Sequence, residues 1–234
     1  MAMFQETADI QTADMLKLPV PKANYHNIVL QPSEHQKEMV AALGERAEAV
    51  RNRQVSSSKD NMLLITNDGR KLALDQRLLS PLLPDSDTGK VTACAENVAE
   101  IWRRTAGQRS TQMVFCDLSI PCGDGSFNIY DDLRDKLIAR GIPAEEIAYI
   151  HSAKNEAQKK ELFGKVRSGQ VRVLIGSTQK MGAGTNVQQK LIALHHLDCP
   201  WRPSDVGRTL RTVFYQPVKR RVPVRYSPFA YNLF

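Results

Sequence analysis

Cysteine, aromatic residues and long apolar runs are all scarce in this sequence. The four cysteines of the 234-residue chain form no CxxC pair, which argues against a zinc site. His195 and His196 adjoin in a predicted strand, so their side chains point to opposite faces and a structural role is favoured. No window approaches the ~18 apolar residues of a membrane span, and the first fifteen residues do not resemble a signal peptide. We therefore expect a cytoplasmic protein with reduced thiols, no metal and no membrane partner.

A phosphate-binding loop of the GxxxxGK[ST] form is also missing. The nearest match, "DTGKVT" (87–92), contains Gly89 and Lys90, but Val91 stands where Ser or Thr is required and Pro84 where the first glycine belongs. No Asp-Glu pair follows an apolar strand, and no Asn-Pro-Pro-Tyr signature of methyltransferases is present. The sequence alone therefore predicts no independent ATP site.

Charge is distributed unevenly along the chain, whose net charge is +7. Residues 201–234 contain seven Lys or Arg and one Asp, a net charge of +6, so the first 200 residues are nearly neutral. A basic segment beside a neutral body indicates contact with a polyanion such as nucleic acid. A solvated tail has the same composition, and the pattern leaves both interpretations open.

The spacing of apolar residues predicts an α/β fold whose pattern changes near residue 90. Before it, we predict a strand in "NYHNIVLQP" (24–32), a helix that begins at Ser33, and two short segments separated by a turn at Asp68–Gly69. From residue 90 onward, apolar strands alternate with helices of ten to fifteen residues, which is typical of βαβ units and a parallel sheet. Such strands are apolar throughout because helices cover both faces.

Ligands of a parallel sheet bind beyond the carboxyl ends of its strands, which here directs attention to four loops. The loops span residues 117–121, 151–154, 176–186 and 198–203. In the third loop, glycines would let backbone N–H groups approach a phosphate, Ser177 and Thr178 could contact its oxygens, and Lys180 adds a positive charge. A tight turn is the competing interpretation of a glycine-rich loop.

The third loop carries a family resemblance. "VRVLIGSTQKMGAGTNVQ" (171–188), followed by "LIALHHLDCPWRPSD" (191–205), resembles the second RecA-like lobe of superfamily-two helicases. A strand, a Ser-Thr pair, a Gly-x-Gly-x-Asn loop and a Trp-x-Pro motif follow in the order seen in Swi/Snf-type DNA translocases. "TQMVFCD", "IAYIHSAKNEAQKKELFGKV" and "GRTLR" fall where further motifs of that lobe belong. Within this group, the chain is most similar to helicase-methylase proteins of bacterial phages and mobile elements.

The resemblance implies an α/β fold with a RecA-like parallel sheet sandwiched by helices and a mostly helical N-terminal lead-in. Residues 1–89 would be the lead-in, which links to a first lobe absent from this sequence. Residues 90–211 would be the C-terminal helicase lobe. Residues 212–234 would be a basic tail, truncated or altered relative to the family.

The resemblance also implies roles for single residues. The side chains expected to contact nucleic acid are Asp117, Ser152, Ser177, Thr178 and Lys180. The residues expected to face the nucleotide are Gly182, Gly184 and Asn186. Arg208 and Arg211 match a Gly-Arg-x-x-Arg motif whose arginines reach the γ-phosphate, where a guanidinium fork suits phosphate oxygens. Two solvated charges at a helix end are the plainer alternative.

The function implied is the C-terminal half of an ATP-dependent DNA helicase or translocase. ATP and Mg²⁺ would bind only with the first lobe, to which a methyltransferase domain could be attached, and the nucleic acid would be DNA, with RNA left open. Two other hypotheses stay open. The chain could be a non-catalytic remnant that binds nucleic acid or a protein, or a self-contained enzyme that binds phosphate through the loop at Gly182 and Gly184.

Overall fold

A parallel β-sheet is the centre of the fold in the computed structural model, which describes residues 23–123, 125–181, 185–199 and 224–228. Its strands are β1 (Ala23–Tyr25), β2 (Thr111–Phe115), β3 (Ile147–Tyr149), β4 (Val173–Gly176), β5 (Leu191–His196) and β6 (Val224–Pro228). They lie in the order β1-β6-β5-β2-β4-β3, and all neighbouring pairs are parallel. The predicted α/β class with a parallel sheet and a helical N-terminal part is confirmed.

Within the described part of the chain, six α-helices accompany the sheet. They are α1 (Glu34–Arg51), α2 (Met62–Leu74), α3 (Lys90–Arg104), α4 (Ile129–Ala139), α5 (Glu156–Ser168) and α6 (Thr178–Met181). Three begin at an asparagine whose side chain accepts a first-turn N–H: Asn61, Asn128 and Asn155. Among the described residues, no helix combines the length and apolar character needed to cross a bilayer.

The lead-in differs from its sequence prediction at two places. The strand predicted over 24–32 is limited to Ala23–Tyr25, and residues 26–33 form no regular element. The turn predicted at Asp68–Gly69 is wrong, because α2 runs through both residues without a break. Ile65 and Leu72 are buried on one side of α2, and this burial outweighs the local turn preference of Asp-Gly. The helix predicted from Ser33 is confirmed, with Ser33 and Gln36 forming a capping box.

Alternating residues of the central strands face two separate apolar layers. Val114 and Ile175 pack in one layer with side chains of α3 and α4, whereas Met113 and Leu174 pack in the other with side chains of α5. This alternation follows from the two-residue period of a strand. The strands are therefore covered on both faces, which leaves the strand ends as the part of the sheet open to a ligand.

An ion-pair network joins the lead-in to α4. Nη2 of Arg77 lies 2.7 Å from Asp75, 2.9 Å from Asp85 and 2.9 Å from Asp132, and Lys136 also pairs with Asp85 and Asp132. We call these five residues the Arg77 cluster. The three carboxylates lie close enough together to hold a cation, and the cation that they share is the guanidinium of Arg77.

A second buried guanidinium fixes the amino ends of the strands. Arg172, directly before β4, is 2% exposed and donates to the carbonyl oxygens of Ser110 at 3.1 Å and Trp102 at 2.7 Å. Its third partner is the hydroxyl of Thr105, and its guanidinium also lies over the Trp102 ring. The start of β4 is thereby tied to the end of α3 and the residue before β2.

Candidate nucleic-acid interface

The carboxyl ends of four strands meet along one edge of the sheet, because the strands are parallel. Asp117 lies just after β2, Ser152 after β3, Thr178 after β4 and Asp198 after β5. We call this edge the rim. The predicted contact residues Asp117, Ser152 and Thr178 therefore follow three strand ends of the same edge.

Asp198 is buried at the rim and binds backbone rather than a cation through one of its oxygens. It is 3% exposed, and Oδ2 accepts the N–H groups of Asp117 and Leu118, both at 2.7 Å. Its Oδ1 accepts no hydrogen bond from the described residues. The end of β5 is thus bonded to the loop that follows β2.

Asp117 continues this connection toward β4. Its Oδ1 accepts the backbone N–H of Thr178 at 2.6 Å, at the first residue of α6. Two carboxylates therefore link three strand ends in series, from Asp198 to the Asp117 loop and from Asp117 to Thr178. We call this arrangement the carboxylate chain.

Burial perturbs the ionisable groups of the rim. Burial raises the pKa of Asp198 to about 6, the negative charge of Asp117 acts in the same direction, and the two backbone hydrogen bonds oppose the rise. Burial also lowers the pKa of Lys90 to about 8, against the negative charge of Asp198. In the sequence, Lys90 stands out only as part of a false phosphate-loop match. No local pattern indicates that it lies near Asp198, which is more than a hundred positions away.

The Ser-Thr pair of the third loop directs both of its hydroxyl oxygens away from solvent. Ser177 is 3% exposed, and its Oγ lies 3.4 Å from the backbone N–H of Lys180. Thr178 is half-buried, but its Oγ1 is itself buried and forms no hydrogen bond with the described residues, whereas Lys180 is exposed. The burial of Ser177 makes it a residue that shapes the turn, and the surface of this loop is formed by its neighbours.

Close packing explains the first glycine of the loop. A Cβ at Gly176 would stand 2.7 Å from Sδ of Met181 and would also collide with Ile150. Thr185 closes the loop from the other side, since its hydroxyl donates to the carbonyl of Met181 at 2.6 Å. Gly176 and Thr185 thus serve the internal packing of the loop.

Ser152 and Asn186 are both exposed. The Ser152 hydroxyl donates to the carbonyl of Tyr149 at 2.7 Å, and the Asn186 carbonyl accepts from Arg167 at 2.8 Å. His151 lies beside Ser152, and burial together with the charge of Lys180 lowers its pKa, so His151 stays neutral near pH 7. Four further predicted site residues, Gly182, Gly184, Arg208 and Arg211, lie outside the described residues.

The two adjacent histidines are buried in β5, as the structural interpretation requires. Nε2 of His195 lies 3.0 Å from Oε1 of Gln112, and the His196 ring stacks on Phe115 with centroids 4.6 Å apart. Burial lowers the pKa of His195 to about 4 and that of His196 to about 3. Both rings are therefore neutral at physiological pH and belong to the core.

Comparison with solved structures identifies the type of fold. The C-terminal part of the Fun30 ATPase domain matches with a TM-score of 0.61 and 11% identity, over 92% of this chain and 87% of that one. The Sulfolobus solfataricus SWI2/SNF2 ATPase C-terminal domain matches with a TM-score of 0.55 and 13% identity, over 88% of this chain and 79% of that one. No protein-family model and no curated protein sequence matches the chain.

The larger Sulfolobus solfataricus SWI2/SNF2 ATPase core domain matches with a TM-score of 0.58 and 14% identity, over 93% of this chain. The chain spans 41% of the length of that core. The same core in complex with dsDNA matches with a TM-score of 0.54 and 14% identity, over 89% of this chain and 41% of that one. The fold of this chain resembles the C-terminal lobe of SWI2/SNF2 ATPases.

Proposed function

We propose that the chain is the C-terminal lobe of an ATP-dependent DNA translocase and that its rim contacts the nucleic-acid backbone. The observation that carries the proposal is the convergence of Asp117, Ser152 and Thr178 at one edge of a sheet whose fold resembles the SWI2/SNF2 lobe. In open α/β sheets, ligands bind at this same edge, beyond the carboxyl ends of the strands. DNA is the preferred partner because the similar Sulfolobus core has been solved with dsDNA.

Within this interface, Lys180 and Ser152 contact the backbone through their side chains, and Thr178, whose hydroxyl is buried, contributes through its place at the start of α6. Lys180 is exposed and supplies the positive charge, and hydroxyls bind phosphate oxygens without regard to base sequence. The carboxylate of Asp117 repels phosphate, so its contribution is to hold the amide of Thr178. Ser177 contributes through the shape of the turn, since its side chain is buried.

The nucleotide half of the proposal rests on the sequence resemblance. Gly182, Gly184 and Asn186 face a nucleotide held by a first lobe, which also binds Mg²⁺, and Arg208 and Arg211 reach the γ-phosphate when the lobes close. A guanidinium at this position stabilises the charge that develops during phosphoryl transfer. The relation to phage helicase-methylases, a methyltransferase neighbour and a cytoplasmic location belong to the same proposal and rest on the sequence alone.

The proposal is tested by DNA binding and by complementation. We expect the full chain to bind a fluorescein-labelled duplex, with an affinity that falls steeply with salt because phosphate contacts dominate. The chain alone should not hydrolyse ATP, and DNA-stimulated hydrolysis should appear when a SWI2/SNF2-type N-terminal lobe is added. Arg211→Ala should abolish that hydrolysis and leave DNA affinity within about twofold, because a finger acts on the transition state.

Three outcomes would contradict the proposal in different ways. ATP hydrolysis by the chain alone would indicate a self-contained enzyme. DNA binding without hydrolysis under any complementation would indicate a remnant that only binds nucleic acid. If the chain does not bind DNA at low salt, the proposed nucleic-acid interface is wrong.

A further inference from the structure

Asp198 cannot be a contact residue in the interface proposed above. Its side chain is buried, and Oδ2 is occupied by two backbone N–H groups. A carboxylate in this position costs free energy unless hydrogen bonds or nearby charges compensate for its desolvation. Such a residue acts on a ligand only through the groups that it holds.

The groups that Asp198 holds lead directly to the phosphate-facing part of the rim. Its bonds to the amides of Asp117 and Leu118 fix the start of the loop after β2, and that loop presents the Asp117 carboxylate to Thr178. Thr178 is the first residue of the single turn that also carries Lys180. The residues joined in this way are about 80 and 60 positions apart in the sequence.

We propose that Asp198 is a positioning residue of the nucleic-acid interface, which holds α6 and its Lys180 at the rim through the carboxylate chain. This inference rests on the proposed function. Asp198 bonds the Asp117 loop, Asp117 bonds the Thr178 amide, and the one-turn helix is thereby fixed at its first residue. A helix of four residues is too short to hold its own conformation, so external contacts decide its position: the bond at Thr178 at its start and the burial of Met181 at its end.

Charges from three other elements surround the Asp198 carboxylate. Asp117 faces it from the end of β2, Arg70 from α2 and Lys90 from the start of α3. The two cations favour the ionised carboxylate and Asp117 disfavours it. The carboxylate thus has cationic neighbours from two helices while its hydrogen bonds go to the rim.

Amide hydrogen exchange in the full chain tests the connection without any ligand. In Asp198→Ala, exchange of the Asp117, Leu118 and Thr178 amides should accelerate by about tenfold or more, while Val114 at the centre of β2 changes by less than about threefold. Asp75→Ala is the matched control, because it removes another buried, hydrogen-bonded carboxylate, one whose side-chain partner is Arg77 rather than a loop of the rim. Unchanged exchange at Thr178 would overturn the proposal, as would equal acceleration there in Asp75→Ala.

DNA affinity tests whether the connection matters for binding. Asp198→Ala should weaken duplex binding by about fivefold in the wild-type background and by less than about twofold when Thr178→Ala and Lys180→Ala are already present. Equal losses in both backgrounds would contradict positioning through α6. If the Thr178→Ala, Lys180→Ala protein binds DNA as the wild type does, the interface itself is wrong and the positioning role falls with it.

Asp198→Asn removes the negative charge of the side chain but keeps an oxygen that accepts hydrogen bonds. It therefore also tests the proposal if the alanine variant does not fold. An amide oxygen can accept both backbone N–H groups, so exchange at Thr178 and DNA affinity should stay within about threefold of the wild type. A loss of about tenfold in affinity with Asn, at unchanged exchange, would assign the effect to charge and overturn the proposal.

Discussion

Two groups of carboxylates in this protein, each built around one buried aspartate, are compensated in different ways. In the Arg77 cluster, three aspartates share two cations, and every carboxylate has a positive partner within 3 Å. In the carboxylate chain at the rim, the hydrogen bonds described for Asp198 and Asp117 come from backbone N–H groups. The first arrangement joins whole elements by charge, and the second fixes the path of loops.

This difference leads us to expect that the two groups affect different measured properties of the protein. The Arg77 cluster connects the residues after α2 to the first turn of α4, and it needs no ligand to satisfy its charges. The hydrogen bonds at the rim fix the conformation of the loops that follow the strands, and Lys180 remains exposed. We therefore expect changes in the cluster to alter the free energy of unfolding, and changes at the rim to alter DNA binding.

The largest expected effect is on stability, from Arg77→Ala. Removing the guanidinium leaves the buried Asp75 without its cation partner and the half-buried Asp132 with Lys136 alone, which should cost about 3–5 kcal/mol. Urea denaturation followed by circular dichroism measures the free energy of unfolding. Arg46→Ala is the control, since its ion pairs with Asp60 and Asp68 are more exposed and should contribute about 1 kcal/mol or less. Equal losses in the two variants would show that the Arg77 cluster contributes no more to stability than the more exposed ion pairs of Arg46.

Gly176→Ala should have the next largest effect and should act at the rim. The added methyl group collides with Met181 and Ile150, so we expect a loss of about 1–3 kcal/mol on unfolding together with weaker DNA binding as α6 shifts. Gly44→Ala is the control, because nothing lies within 4 Å of the added Cβ in α1. That substitution should stabilise the protein by about 0.5–1 kcal/mol through helix propensity. A neutral Gly176→Ala would contradict the close packing of this loop.

Acidification should reveal the titration of Asp198 as a change of about 1 kcal/mol in the free energy of unfolding. Burial raises the pKa of Asp198 to about 6 from its ordinary 3.8, so the folded state binds this proton more tightly than the unfolded state does. The resulting stabilisation is fully present below pH 3.8 and is lost as pH rises through 6. Between pH 7 and pH 5, the wild type should therefore gain about 1 kcal/mol relative to Asp198→Asn.

Comparison with Asp198→Asn is needed because His195 and His196 act in the opposite direction. Burial lowers their pKa values, so their contribution is present above pH 6.5 and is lost on acidification. Both histidines are present in both proteins, and the difference between the two unfolding curves isolates Asp198. Parallel curves for the two proteins across this range would show that Asp198 does not titrate there.

The smallest expected effect is from Lys180→Gln, which should leave stability unchanged. It should weaken duplex binding by about fivefold at low salt and reduce the slope of log affinity against log salt by about 1. Lys59→Gln is the control, since Lys59 is exposed in the turn between α1 and α2, away from the rim. Equal changes in both variants would indicate diffuse charge attraction rather than a contact at Lys180.

The sequence predicted the regular part of the fold because that part depends on local patterns. Apolar strand runs and capping residues predicted β2 to β5 and α3 to α5, and Gly141 adopts the positive φ of 92° that ends α4. The prediction was wrong at Asp68–Gly69, where burial of residues elsewhere in α2 outweighs the turn preference. Residues 224–228, assigned from sequence to a tail, form β6 between β1 and β5, a pairing that depends on distant partners.

The sequence predicted which residues of the candidate site follow the strand ends, but it did not predict which atoms those residues contact. Counting from strand ends predicted that Asp117, Ser152 and Thr178 share an edge. It could not predict that Ser177 is buried, because the orientation of a single side chain depends on packing against residues distant in sequence. The bond from Asp198 to Asp117 spans 81 positions, and no motif spacing encodes it.

The buried guanidinium of Arg172 fixes the amino ends of the strands, so this end of the sheet can serve as a reference when movement elsewhere in the protein is measured. Because that side chain bonds Ser110, Trp102 and Thr105 at once, this end should travel as one rigid block in any stepping cycle. A fluorophore placed near Gln108 would then report rotation of the entire lobe, whereas one placed near Lys180 would add local rearrangement. Subtracting the first signal from the second would isolate the movement of α6 at the rim.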